Sequence, residues 1–314
     1  MLKVDSLTVH YHSRRGIVKA VNDVSFTLGR GEILGVCGES GCGKTTLGLA
    51  LIRLLPQNAK IISGKILLNS IDILSLNEYE LSNIRWSQIS MIFQGAMNAL
   101  NPVKRIGDQL IEPLIIHGKC SREKAFEKAK ELLRLVGIDP VRINSYPHTL
   151  SGGMRQRVLI AMALICSPKV VIADEPFTAL DVMTQAQIIE LIKELREKLN
   201  LSIILITHDL ALASELATKI MIMYAGRIME YGWIKDVCEK PLHPYTQKLI
   251  RAIPSLSGKA VALESIPGSP PSLINMPKGC PFNPRCSLML NKCREKEPAL
   301  KEMDGRYVAC HRIQ

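Results

Sequence analysis

GESGCGKTT, residues 38–46, fits the pattern G-x-x-x-x-G-K-[ST] at every position. Gly38, Gly41 and Gly43 let a loop curl so that successive backbone N–H groups face one concavity, an anion nest. Glu39, Ser40 and Cys42 fill the positions between them. Upstream, EILGVCG (32–38) reads as a strand; downstream, TTLGLALIRLL (45–55) reads as a helix whose positive N-terminal end adds to the nest. That context predicts a phosphate loop. Lys44 would reach the β- and γ-phosphates of a nucleotide, the Thr45 hydroxyl would ligate Mg²⁺, and Thr46 would serve the α-phosphate side.

A second acidic element belongs with such a loop. VVIADEP (170–176) is an apolar strand that delivers Asp174 to the carboxyl edge of a sheet, where it would hold magnesium through water. Glu175, next in line, would orient and deprotonate an attacking water. KVVIAD (169–174) and SIILIT (202–207) are apolar, β-branched runs of the kind buried in a parallel sheet. The run at 181–200 carries apolar positions at i, i+3 and i+4 and predicts a helix, as does 121–138. The N-terminal run MLKVDSLTVHYHSRRG alternates like a strand. Residues 1–240 therefore read as one α/β domain with a helical segment over roughly 105–165.

Beyond residue 240 the composition changes. Ten of the 17 prolines fall in the last 74 residues, which predicts a small irregular extension over 241–314. Hydrophobic residues make up 47% and charged residues 22%, a folded globular profile. The longest apolar run, Val158 to Cys166, is about half of a membrane span. A chain without a span or a signal-like start is expected in the cytosol. The net charge of +11 favours polyanions or an anionic membrane face, and a solvated basic surface explains it equally well.

LSGGMRQRV (150–158) selects the family. Ser151, Gly152 and Gly153 open a helix with a hydroxyl and two unobstructed amides, a second phosphate-binding device. Here the chain resembles the ABC ATPases, in which the signature of one subunit caps ATP held by the phosphate loop of another. The resemblance implies a P-loop fold with a parallel-sheet core, an antiparallel β subdomain and a helical subdomain. It further implies a Q-loop residue at Gln94, which touches Mg²⁺ and the attacking water, and a D-loop at Asp181. A switch histidine falls at His208 and an adenine-stacking aromatic at Tyr11. The signature carries Met154 where many members have Gln.

Two function classes share such an ATPase: a transporter motor, and a soluble enzyme of DNA or ribosomes. About a hundred residues separate the two phosphate devices, without sustained heptads, and only one ATPase unit is present. ISMIFQGAMNALNPV (89–103), DEPFTALDVMTQAQII (174–189), HPYTQKLI (243–250) and the final PG-x-PP … GCPF-x-PRC (267–286) are similar to the ATPases of oligopeptide and dipeptide importers. The similarity runs from residue 2 to 310 and is strongest to their D type. It implies a second, non-identical F-type ATPase (or a second copy of this chain), two membrane permeases, an external solute-binding protein and no nucleic acid. Nickel or oligosaccharide import remains open as cargo. The region from Gln94 through 97–103 and the helical segment would dock a permease.

Nine cysteines in a cytosolic chain argue against disulfides. Cys37 and Cys166 read as small core residues, and Cys42, Cys120 and Cys238 are scattered. Cys280, Cys286, Cys293 and Cys310 differ: their spacing C-x5-C-x6-C-x16-C lacks the C-x2-C pair of zinc knuckles. Four thiolates are the ligand count of a four-iron cluster. Peptide-importer ATPases can carry a [4Fe–4S] cluster in this extension, and the resemblance implies one here, remote from the ATP chemistry. Bound Zn²⁺ or free thiols are the alternatives.

Overall fold

The computed structural model describes residues 1–95, 99–118, 120–252 and 266–313. Residues 96–98, which include part of the expected docking segment 97–103, lie outside this set, as does 253–265 of the extension. The chain forms two compact units, one of residues 1–74 with 206–314 and one of residues 75–205.

The first unit begins with β1 (Leu2–Ser13) and β2 (Gly16–Leu28), an antiparallel pair. Their alternating burial fulfils the alternating sequence, with one face on the core. β3 (Ile33–Cys37), buried at every residue, leads through the glycine loop into α1 (Lys44–Leu51). The helix stops short of the expected residue 55. Arg53 takes the left-handed conformation (φ 50), and its N–H and that of Leu54 bond back to Ala50 and Leu49. β4 (Ala59–Leu68) and β5 (Ile71–Asp72) complete an antiparallel sheet of order β2-β1-β4-β5.

The second unit contains α2 (Glu78–Ile84), with a capping box between Asn77 and Glu80, and β6 (Ile89–Ile92). α3 (Ile106–Ile116), α4 (Arg122–Leu135) and α5 (Gly152–Leu164) form its helical part. They pack through Leu110, Leu114, Ala129, Leu133 and Val158, all fully buried. β7 (Val170–Asp174) pairs with β6 in parallel, and α6 (Val182–Leu199) and β8 (Ser202–Thr207) follow. β7 and β8 are buried throughout, which explains their unbroken apolar sequence.

The first unit resumes with α7 (Leu210–Leu216), then β9 (Lys219–Tyr224), parallel to β3, and β10 (Arg227–Trp233), antiparallel to β9. α8 (Ile234–Glu239), α9 (Pro244–Arg251) and α10 (Lys292–Glu295) come next, followed by β11 (Lys301–Met303) and β12 (Arg306–Val308). The extension is thus not wholly irregular. β11 and β12 form a hairpin around Asp304-Gly305, both at positive φ, and β12 pairs with β10. Three-residue strands leave too little periodicity to read, although the Asp-Gly pair is itself a hairpin signal. Among the described residues, no helix is long and apolar enough to cross a membrane.

Candidate functional site

The first unit supplies the loop expected to bind phosphate. Gly38 (φ 154) and Gly43 (φ 103) take backbone conformations that side-chain-bearing residues rarely adopt. A Cβ at Gly38 would stand 2.1 Å from the Met223 carbonyl, and one at Gly43 would stand 2.0 Å from that of Ala20. The loop therefore lies flush on β2 and β9. Lys44 is 6% exposed, and its Nζ donates to the carbonyls of Gly38 (2.8 Å) and Glu39 (3.1 Å). Those bonds hold a buried ammonium over the loop. The Tyr11 hydroxyl lies 3.2 Å from Thr46 Oγ1, which brings the expected adenine-side aromatic to the phosphate loop. His208 is exposed just past β8; its neighbour Asp209 caps α7 by accepting from Ala211 and Leu212 N–H.

In the second unit, Asp174 is 1% exposed at the end of β7. Glu175 follows in a left-handed conformation (φ 47), which turns its side chain out of the strand direction. Its Oε2 accepts from Gln94 Nε2 at 2.9 Å and from Thr178 Oγ1 at 3.0 Å. Gln94 and Glu175 are 81 residues apart and meet because β6 and β7 pair in parallel.

The residues expected for the signature and the D-loop also come together. Ser151 caps α5, its Oγ accepting from Met154 N–H at 3.3 Å. Gly153 faces Thr184, whose Cγ2 would be 2.6 Å from a Cβ at 153. Thr184 in turn donates its hydroxyl to Asp181 Oδ2 at 2.6 Å and its N–H to Oδ1 at 2.9 Å. Those hydrogen bonds to Thr184 hold the Asp181 carboxyl below its ordinary range.

Around Glu39 stand residues for which the sequence suggests no role at this loop. Arg285, from the extension, grips its carboxylate with two hydrogen bonds, and the Tyr245 hydroxyl accepts from its N–H at 3.1 Å. Arg285 adjoins Cys286 in sequence and so ties this segment to the loop 38–46, while the cysteines themselves line a cavity that includes none of those loop residues. Both residues sit in stretches noted for their resemblance, PRC and HPY, yet nothing local in those stretches reveals a partner in the phosphate loop.

Cys280, Cys286, Cys293 and Cys310 line one cavity of about 10 Å³ together with His311 and Arg312. Asn283 ties the loop by donating to the carbonyls of Lys278, Cys280 and Cys293. Burial pushes the Cys280 thiol up to about 12 and raises Cys286 and Cys310. The expected cluster cage is not formed as a metal site: among the described residues no three or more His, Cys, Asp or Glu side chains are arranged to hold a metal ion. The thiols are gathered around a space too small for more than about one water. None of the nine cysteines is in a disulfide.

Comparison with known proteins adds to this geometry. The family described as ABC transporter matches residues 21–178, and the oligopeptide/dipeptide transporter C-terminal region matches 229–293. The chain is 47% identical to the oligopeptide transport ATP-binding protein OppD of Salmonella typhimurium over 312 residues, covering 99% of this chain and 93% of that one. It is 44% identical to the dipeptide transport ATP-binding protein DppD of Escherichia coli over 314 residues, covering 99% and 96%. A solved dimeric bacterial ABC transporter cassette superposes with a TM-score of 0.67 at 30% identity, covering 74% of this chain and 99% of that one. A post-hydrolysis form of the same cassette, bound to ADP and Pi, superposes equally well.

Proposed function

The chain belongs to the ABC transporter family, among the ATP-binding subunits of oligopeptide and dipeptide transporters, and on that premise we propose that it is the ATP-hydrolysing motor of a peptide importer. The observation that carries the catalytic reading is the Glu175 carboxylate, fixed by Gln94 and Thr178 at the end of a buried strand. A carboxylate held in one direction can orient a water and take its proton. Lys44, released from the Gly38 and Glu39 carbonyls, turns to the β- and γ-phosphates. The loop residues 38–46 wrap them with backbone N–H groups, and Tyr11 serves the adenine side. His208 meets the γ-phosphate. Ser151, Gly152, Gly153 and Asp181 act on nucleotide held by a second cassette. Thr45, Gln94 and Asp174 are hard oxygen donors of the kind that suits magnesium, and they would hold it. Mg²⁺, when bound, neutralises charge on the phosphate oxygens.

Residues 1–240 form the nucleotide-binding domain in this reading, and 241–314 are an extension of the oligopeptide/dipeptide-transporter type. The chain sits peripherally at the cytoplasmic face of the membrane, and its partners are a second ATPase subunit, of F type or a second copy, and two transmembrane permeases, with a solute-binding protein outside. Residues 94–103 and the helical segment meet the permeases.

The test is Glu175→Gln in the assembled transporter. It should keep ATP binding, accumulate a closed dimer and lose at least about a hundredfold in turnover, the scale of general-base catalysis. Lys44→Ala should lose nucleotide. Wild-type turnover by Glu175→Gln would remove the role assigned to Glu175.

We also propose that Cys280, Cys286, Cys293 and Cys310 hold a [4Fe–4S] cluster. The support is the donor set, four thiols on one cavity, with Arg312 beside them to balance charge. A four-iron cluster is larger than the present cavity, so the segment would open around it on loading. The cluster would supply a stable covalent tie for the extension. Protein purified without oxygen should be brown, absorb near roughly 400 nm and contain iron and sulfide. Colourless protein with one equivalent of zinc would overturn the assignment.

A further inference from the structure

The phosphate loop carries a carboxylate of its own. Glu39 lies between Gly38 and Ser40, and an unneutralised negative charge there opposes a phosphate ligand. Arg285 answers it: Nη1 donates to Glu39 Oε2 at 2.6 Å and Nη2 to Oε1 at 2.9 Å, a two-pronged fork. The guanidinium is 6% exposed and the carboxylate 24%, so solvent screens the pair far less than a surface ion pair.

The arginine is itself held. Nε donates to the Pro267 carbonyl at 2.8 Å, Nη1 also donates to the Tyr224 hydroxyl at 3.2 Å, and the guanidinium lies 5.7 Å from the Tyr224 ring centre. Tyr224 and Tyr245 pack with Phe282 into a buried aromatic cluster, with ring centres 4.7 to 5.3 Å apart. Tyr245 accepts the Glu39 N–H from that same cluster. Glu39 is thus clamped at its backbone and at its carboxylate by one rigid support. Its carbonyl, with that of Gly38, carries Lys44 Nζ. Movement at Glu39 reaches the lysine directly.

We propose that Arg285 is a positioning residue for the bound nucleotide, neutralising Glu39 and holding the edge of the phosphate loop whose carbonyls carry Lys44. The proposal rests on reading residues 38–46 as the phosphate site. Without Arg285, the Glu39 carboxylate stays partly buried on the loop with its charge unbalanced, and that charge opposes a phosphate bound there.

The experiment measures MgADP affinity by calorimetry on the full chain, with melting temperature as the check on folding. Arg285→Met should weaken binding by about tenfold or more, the scale of losing one partner of a partly buried charge pair. Adding Glu39→Gln to Arg285→Met removes the uncompensated charge and should bring affinity back to within about threefold of wild type. A support whose role is only structural predicts no such recovery. A double variant as weak as Arg285→Met, or a folded Arg285→Met with wild-type affinity, overturns the proposal. If Arg285→Met does not fold, Arg285→Gln decides: it removes the cation but keeps a donor, and it should weaken binding by about tenfold and be recovered by Glu39→Gln in the same way; wild-type affinity or no recovery overturns the proposal. Wild-type chain that binds no MgADP would overturn the phosphate-site reading itself, a separate failure.

Discussion

His243 is 1% exposed and caps α9, its Nδ1 accepting the Tyr245 N–H at 2.9 Å. An imidazole that accepts at Nδ1 is neutral, with its proton on the other nitrogen. Burial pushes its pKa down to about 3, against a smaller opposing effect of a hydrogen bond to the Ala309 backbone. The folded value lies below the unfolded one of about 6.5, so the stabilisation is complete above that pH. It is lost as pH falls toward about 3. Between pH about 7.5 and 5, this residue alone should cost roughly 2 kcal/mol of unfolding free energy. His243→Asn keeps a capping acceptor but does not titrate, so its urea-unfolding free energy should fall by about that much less over the same interval. Equal slopes for the two proteins would show that His243 is not the titrating group. The sequence makes His243 visible only as part of HPY; its burial, and hence its neutrality, comes from the packing around it.

At the scale of elements, two helix N-termini are joined through one methyl group. α5 begins at Gly152 and α6 at Val182, and Gly153 of the first touches Thr184 of the second. A helical glycine usually gains about 1 kcal/mol on replacement by alanine. Here the new Cβ would meet Thr184 Cγ2 at 2.6 Å and push the residue whose hydroxyl and N–H bind Asp181. Gly153→Ala should therefore show no gain in melting temperature and lose about tenfold or more in ATPase turnover of the assembled transporter, if the Asp181 cap is displaced. Adding Thr184→Ser removes the methyl while keeping the hydroxyl, and should restore most of the turnover. Failure of that rescue would separate the signature helix from the D-loop. Ser-Gly-Gly reads as a phosphate device in the sequence. That its second glycine also makes room for Thr184 is visible only in three dimensions.

At the scale of the whole molecule, the strand–loop–helix around residues 38–46 and the buried strands β7 and β8 follow their sequence closely. Their patterns are local: a strand buried on both faces needs an unbroken apolar run, and a phosphate loop needs glycines at set intervals. The helix at Arg122–Leu135 is equally legible, because its amphipathic stripe records which face packs. The extension is the least legible part of the sequence. Its hairpin is too short for a period, and its structure depends on partners supplied by the first 74 residues and by β9 and β10. Lys19 N–H bonds the Leu273 carbonyl, β12 pairs with β10, and Arg285 meets Glu39 across 246 residues. The amino-acid sequence by itself determined the ATPase class and the identity of its chemical groups, since these are fixed by residue type and near-neighbour spacing. Only the tertiary structure decided which groups face one another over long chain separations: Gln94 with Glu175, Gly153 with Thr184, and Arg285 with Glu39. No local pattern encodes such pairings, because they arise when distant elements bury their apolar faces together and carry their polar side chains into contact.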